Sequence, residues 1–329
     1  MKEILLETKY LKIGYTKQRN QHVVYSNLNL NLRNGELVCL LGSNGAGKST
    51  LLKTLGRLIP PLGGSILIEK QKIDDLTPKI FSTKTGLVLT EKPELWNITA
   101  REIISLGRYP YTGFWGKLTE QDWELVGQAA EQAGVETILD RQFMELSDGE
   151  KQKVMIAKAL AQKTPIILLD EPMAFLDFPS KSNLLLLLRK LAHEQNLGII
   201  LSTHDIELAL RTADRIWLIP EKGKLIDEIP EDMVMKGHIH KAFKNKDLSF
   251  DVSTGHFENS FEPQKFIRVS GDPVPTRWLT QALNRNQIGT DGPSDWHVEC
   301  GENYCVKFQG SIHMNFRTIT DVLLFLNIQ

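Results

Sequence analysis

The stretch Gly42-Ser43-Asn44-Gly45-Ala46-Gly47-Lys48-Ser49-Thr50 fits the pattern G-x-x-x-x-G-K-[ST] of a phosphate-binding P-loop. An apolar run from Leu37 to Leu41 precedes it and reads as a short buried strand. Leu51-Leu52-Lys53-Thr54-Leu55 follows and reads as a helix. The motif needs that order of strand, loop and helix. Its glycines permit a tight turn, so that successive backbone N–H groups point inward at phosphate oxygens. The helix start adds partial positive charge. Lys48 is suited to the β- and γ-phosphates of a nucleotide, and Ser49 to Mg2+. The plainer alternative is a Gly-rich turn before an ordinary helix, and the flanking elements argue against it.

Around this stretch, the 329-residue chain has room for two domains. Its 41% hydrophobic and 24% charged residues are ordinary for a soluble globular protein. A formal net charge of −1 gives no bulk attraction to nucleic acid or anionic lipid, so no nucleic-acid partner is expected. No apolar run approaches the roughly 18 residues of a membrane span. The densest, Leu184 to Leu188, is interrupted by Arg189 and Lys190. Met1-Lys2-Glu3-Ile4 carries a carboxylate at once and leads into no long apolar core, which does not fit a signal peptide. A membrane role is therefore expected to run through a partner. Cysteine is limited to Cys39, Cys300 and Cys305, which suits a reducing cytosol better than a disulfide framework.

Residues Ile4 to Leu32 alternate in short apolar stretches and predict an antiparallel sheet. Tyr15 lies at the end of one of them. It reads either as an aromatic platform for a purine ring or as a half-buried strand tyrosine, and position alone favours the second. Pro60-Pro61-Leu62-Gly63-Gly64 is a turn, and Ser65-Ile66-Leu67-Ile68 a returning strand. Leu87-Val88-Leu89 ends at Thr90-Glu91. Thr99-Ala100-Arg101-Glu102 forms a capping box ahead of a helix that Gly107 can stop. An aromatic-rich loop follows from Arg108 to Gly116. Thr119 caps a helix toward Ala133, with Gly134 beyond its end.

Leu146-Ser147-Asp148-Gly149-Glu150 opens a periodic helix through Val154, Ile156, Ala157 and Leu160. Then Ile166-Ile167-Leu168-Leu169-Asp170-Glu171 reads as a buried parallel strand with two carboxylates at its C-terminal edge, where ligands gather in α/β sheets. Asp170 is the candidate for the metal and its water shell, and Glu171 for polarising an attacking water. An Asp-Glu pair can also simply start a helix, but the preceding run and the P-loop make that the weaker reading. After Phe175-Leu176-Asp177, a helix is predicted over Ser180 to Asn196 and a core strand over Ile199-Ile200-Leu201. Ser202-Thr203-His204-Asp205 ends that strand. His204 could donate to a γ-phosphate oxygen, but a histidine at such a place, taken alone, is more often a capping or structural one.

Tyr15, the P-loop, Leu146-Ser147-Asp148-Gly149-Glu150, the Asp170-Glu171 strand and His204 together occur in a characteristic order. Over about residues 1–235 the chain resembles the nucleotide-binding subunit of an ABC transporter. The loop Gly107-Arg108-Tyr109-Pro110-Tyr111 resembles that of importers for iron–siderophore, haem or cobalamin. The resemblance implies an α/β P-loop NTPase of ABC type. Such a domain has a mixed core sheet, an antiparallel N-terminal sheet and a helical insert at about residues 95–160. It implies ATP and Mg2+ as cofactors, with Gly42, Ser43, Asn44, Gly45, Ala46, Gly47, Lys48, Ser49 and Thr50 on the nucleotide. Ser49, Glu91 and Asp170 would hold the metal, and Tyr15 would stack on adenine. Two copies would form a head-to-tail dimer in which Ser147 and the backbone of Gly149 contact the γ-phosphate in trans, with Glu171 and His204 catalytic. Asp177 would lie near that interface. Further implied partners are an integral-membrane permease, received on the insert, and indirectly a substrate-binding protein. The implied location is peripheral, on the cytoplasmic face of the cell membrane. A soluble ABC ATPase in assembly or regulation, or a slow-hydrolysing ATP-dependent switch, are the competing functions.

Two positions depart from the family pattern. Glutamine is usual where Glu91 stands, and Gly-Gly-Gln where Asp148-Gly149-Glu150 stands. A carboxylate at 91 still ligates Mg2+ but adds charge beside the attacking water. Asp148 is expected to point away from the phosphate, leaving the backbone N–H to make the contact.

The stretch 236–264 is charged and broken, and reads as a linker with some helix. Residues 265–329 read as a small α/β domain of β-α-β-β-α order with no family resemblance. Its strands are Phe266–Val269, Trp296–Cys300 and Tyr304–Phe308, and its helices Thr276–Asn286 and Asp321–Leu326. His297, Cys300, Cys305 and His313 suggest metal ligands, but His297 and Cys300 should face opposite sides of one strand. Cys300 and Cys305 could lie opposite each other across the hairpin, which would make only half a zinc site. The plainer role is packing on the ATPase or extending its dimer interface.

Overall fold

The computed structural model describes residues 2–17, 20–90, 96–174, 176–221, 223–244, 248–263 and 265–326. It divides into two compact units, Met1–His238 and Ile239–Gln329.

The first unit holds two sheets. In the antiparallel one, β1 (Ile4–Lys17) lies between β2 (Asn20–Leu28) and β5 (Gly63–Ile68). The short β3 (Asn31–Arg33) also pairs with β1, and β6 (Gln71–Lys72) pairs with β5. β1 is a single long strand whose pairing with β2 shifts register between Leu11 and Gly14, so the alternation read from sequence is broken there.

The second sheet has the order β11-β10-β4-β9-β8-β7. Its strands are β4 (Glu36–Gly42), β7 (Thr85–Val88), β8 (Ile166–Leu169), β9 (Gly198–Ser202), β10 (Arg215–Ile219) and β11 (Ile226–Glu228). All pairs are parallel except β10 with β11. Every residue of β4, β8 and β9 is buried, as expected of parallel strands covered on both faces. The C-terminal ends of these three central strands deliver Gly42, Asp170 and Ser202 to one edge.

Helix α1 (Lys48–Leu55) leaves β4 through the P-loop, and its Leu51, Leu52 and Leu55 enter a core with Leu6, Leu11 and Ile13 of β1 and Leu40, Ile200 and Trp217 of the parallel sheet. α2 (Pro78–Lys84) precedes β7. The insert is α3 (Ala100–Ser105), α4 (Glu120–Ala133) and α5 (Asp148–Ala161), which pack on one another. Thr99, Thr119 and Ser147 each close a reciprocal capping box, and Gly134 ends α4 at φ 65°. α6 (Phe178–Gln195), α7 (Ile206–Thr212) and α8 (Pro230–Met235) complete the unit.

In the second unit, the stretch read as a linker carries α9 (His238–Phe243) and a hairpin of β12 (Leu248–Asp251) with β13 (His256–Asn259). β14 (Lys265–Phe266) pairs with β16 (Ile288–Gly289). A further sheet has the order β15 (Arg268–Gly271), β17 (Trp296–Cys300), β18 (Tyr304–Phe308), β19 (Ser311–Phe316). Helices α10 (Pro273–Arg285) and α11 (Ile319–Phe325) bury Leu279, Leu283 and Val322 against Val298, Cys300 and Val306. One expectation is corrected here. Cys300 pairs with Tyr304, and Cys305 with Glu299, so the two thiols do not oppose each other. Cys300 lies in the core, where burial raises its thiol pKa. Among the described residues no group of three or more His, Cys, Asp or Glu is arranged to hold a metal.

Candidate active site

The P-loop is shaped by two glycines at positive φ. Gly45 sits at φ 80° with open space where a Cβ would be, and Gly47 at φ 103° with Val24 Cγ1 2.4 Å from that point. A side chain at 47 would collide with β2 and strain the backbone. Gly47 is also the N-cap of α1. Lys48 is buried and donates from Nζ to the carbonyls of Gly42 at 2.9 Å and Ser43 at 3.3 Å. Burial lowers its pKa, and the carboxylates of Glu171 and Asp170 oppose that shift.

The next residue reaches the opposite strand. Ser49 Oγ donates to Asp170 Oδ1 at 2.9 Å, and Ser202 Oγ donates to the same oxygen at 2.7 Å. Ser202 Oγ also accepts the N–H of Glu171 at 2.8 Å. Thr90 Oγ1 donates to the carbonyl of Asp170 at 2.8 Å. One buried aspartate thus ties together the P-loop helix, β8, the end of β9 and the segment after β7. Hydroxyl and carboxylate oxygens side by side are the donor type a hard divalent cation takes, so Ser49 and Asp170 fit a Mg2+ site.

Glu171 has φ 46°, a left-handed backbone that costs a non-glycine residue on the order of 1 kcal/mol. The bond to Ser202 holds it there. Its carboxylate lies between two nitrogen-bearing side chains, with Oε1 3.9 Å from Lys48 Nζ and Oε2 3.9 Å from His204 Nδ1. A carboxylate held at the mouth of a phosphate loop can accept a proton from water. Asp205, next to His204, caps α7 through Leu208 N and meets Lys181 of α6 at 3.4 Å.

Tyr15 OH and Thr50 Oγ1 are 2.7 Å apart. Tyr15, His22 and Val24 line a cleft of about 340 Å3 with Asn44, Gly45, Lys48, Ser49, Thr50 and Glu171. The sequence reading included neither His22 nor the bridging roles of Ser202 and Thr90. A hydroxyl that joins two loops is too common a residue type to stand out, whereas the pairing of His22 with Tyr15 follows from a register. Glu91, the third expected metal ligand, lies outside the described residues, as does Phe175.

The segment at 147–150 stands apart from this cluster. Ser147 Oγ accepts from Glu150 N at 3.3 Å, while Glu150 Oε2 accepts from Ser147 N at 2.8 Å and from its hydroxyl at 2.7 Å. Arg141 Nη1 binds Glu150 Oε1 at 3.1 Å. The Ser147 N–H and hydroxyl, assisted by Arg141 and opposed by burial, hold the Glu150 carboxyl below the usual range. Asp148 is an exposed residue in the first turn of α5, where the helix dipole favours a carboxylate. A Cβ on Gly149 would meet Leu176 Cδ2 at 3.7 Å, and the adjoining Asp177 caps α6 through Ser180 N.

On the insert, Phe114 and Trp115 are 95% and 89% exposed, so these rings do not pack the insert's own core. They meet each other edge to face at 5.5 Å. Tyr111 is used internally: its hydroxyl donates to Gln162 O at 2.8 Å and its ring lies under Arg108. No helix among the described residues is long and apolar enough to cross a membrane.

The fold and this cluster define a P-loop ATPase of the ABC class. The ABC transporter family profile matches residues 25–174. An uncharacterized ABC transporter ATP-binding protein of Methanocaldococcus jannaschii is 41% identical over 265 residues, covering 80% of this chain and 90% of the relative. The iron(3+)-hydroxamate import ATP-binding protein of Bacillus subtilis is 34% identical over 224 residues, covering 68% and 81%. A dimeric ATP-binding cassette in a post-hydrolysis state, bound to ADP and Pi, aligns with TM-score 0.60 at 30% identity, covering 69% of this chain and 99% of that one. The chain belongs to the ABC transporter ATP-binding family and is an ATPase.

Proposed function

We propose that the chain is the ATP-hydrolysing subunit of an importer for an iron–siderophore, haem or cobalamin. Kinship with a subunit named for iron(3+)-hydroxamate import supports this, as does the loop Gly107–Tyr111. The observation that carries the catalytic part is Glu171, standing 3.9 Å from both Lys48 and His204 beside the Ser49–Asp170 pair.

In this reading the backbone N–H groups of residues 42–50 and Lys48 hold the phosphates. Ser49 and Asp170, with Glu91, hold Mg2+, which when bound supplies charge neutralisation at the β- and γ-phosphates. Glu171 orients and deprotonates the attacking water, and His204 donates to the γ-phosphate. A second copy supplies Ser147 and the Gly149 N–H, as suits a segment that is exposed in the single chain. Phe114 and Trp115 face a permease; large exposed apolar rings suit a protein interface.

The test is reconstitution of the chain with its permease in vesicles. ATP-dependent uptake of a ferric hydroxamate, haem or cobalamin is expected, and none with Glu171→Gln. Failure of the chain to co-purify with any polytopic membrane protein would instead favour a soluble ABC ATPase.

A further inference from the structure

The cleft above the P-loop has a second aromatic ring that no part of the catalytic reading uses. Tyr15 and His22 are direct partners across the β1–β2 pair, so both side chains leave the same face of the ribbon. Both line the cleft with Val24 and the P-loop. The neighbouring rung is unusually close: a Cβ on Gly14 would lie 2.1 Å from the carbonyl oxygen of His22. Only glycine permits that approach of the two backbones, and directly opposed residues such as Tyr15 and His22 have Cβ atoms about 4.5–5.5 Å apart. Tyr15 is fixed by its hydroxyl on Thr50, 2.7 Å away at the start of α1. His22 is exposed, and among the described residues its imidazole makes no hydrogen bond or ion pair. Among the described residues no contact of this imidazole accounts for a histidine at this position.

We infer that His22 is a specificity-determining residue: with Tyr15 it forms a two-ring platform for the base of a purine nucleoside triphosphate. The inference rests on the reading that this cleft holds ATP. The chemistry is stacking. A flat heteroaromatic base covers both rings, and each such contact contributes about 1–3 kcal/mol in nucleic-acid systems. The triphosphate is held separately, by the loop and Lys48, so base and phosphate contributions can be measured apart.

The experiment is calorimetric titration of the full-length chain with Mg-ATP and with Mg-tripolyphosphate, which has the phosphates but no base. His22→Ala is expected to raise Kd for ATP roughly tenfold while leaving that for tripolyphosphate unchanged. His22→Phe, which keeps a ring without imidazole nitrogens, is expected to restore ATP affinity to within about twofold. An unchanged ATP Kd in His22→Ala would overturn the inference, and so would equal weakening of both ligands. If His22→Asn rescues and His22→Phe does not, a hydrogen bond is at work and the stacking platform is wrong. If the unaltered chain binds neither ligand, the nucleotide reading of the cleft itself fails.

Discussion

Two loop-to-helix junctions of the first unit invite comparison. At the start of α1, Lys48 and Ser49 turn inward and bond to Gly42, Ser43 and Asp170. At the start of α5, Ser147 and Glu150 bond to each other, Glu150 also binds Arg141, and Ser147 and Asp148 stay exposed. Both ends offer backbone N–H groups and a favourable dipole. The first is built into a cluster inside the chain. The second is stabilised by its own capping box and presented outward, as befits a surface that would complete another copy's site.

The contrast is broken most severely at Lys48. Lys48→Ala removes the buried cation from the inward junction, and Kd for Mg-ATP should rise roughly ten- to a hundredfold. Titration checks this; an affinity within twofold of the original would mean that the phosphates lie elsewhere. Ser202→Ala comes next. It leaves the Glu171 N–H without its acceptor and Asp170 with one donor fewer, which should cost about 1–3 kcal/mol. For a unit of this size that is roughly 2–4 °C in Tm per kcal/mol, read by calorimetry. The equivalent loss at the outward junction is smaller: Ser147→Ala should cost about 1 kcal/mol as a lost N-cap.

That junction also carries a pH signature. The Glu150 carboxyl is held below its ordinary value of 4.5, so it stabilises the folded state fully above that value. The contribution is lost as pH falls through the lower folded value. Glu150→Gln should therefore flatten the acid limb of the Tm profile, below the ordinary carboxyl value of 4.5, relative to the unaltered chain. The smallest stability effect is expected at Phe114 and Trp115. Replacing both with Ser should change stability by no more than about 0.5 kcal/mol while weakening capture of the permease, checked by co-purification.

The inward junction was legible because its chemistry is local. Four fixed positions of the P-loop, and an apolar run ending in Asp170-Glu171, are read along one strand each. The capping box at Thr99 and the cap at Thr119 lie within four residues and were equally plain, whereas the box that Ser147 closes with Glu150 sits in a segment whose sequence was read for its place beside a phosphate. What escaped depends on contacts between distant strands. Ser202 reaches Asp170 from β9, and His22 meets Tyr15 through a register interrupted by a bulge. The same holds in the second unit, where the hairpin over Leu248–Asn259 lies in a stretch whose charge and turn residues read as a linker, and where pairing puts Cys305 beside Glu299. Side-chain period gives a face; it does not give the partner strand.

The central claim is that Glu171, poised between Lys48 and His204, is the group that activates water in a site shared by two copies. Phosphate release by the permease-bound complex measures it directly, comparing the unaltered chain with Glu171→Gln. The account predicts steady turnover for the first. For the second it predicts retained Mg-ATP binding and a rate lower by roughly 10²–10⁴-fold. Hydrolysis by Glu171→Gln at the unaltered rate would contradict it.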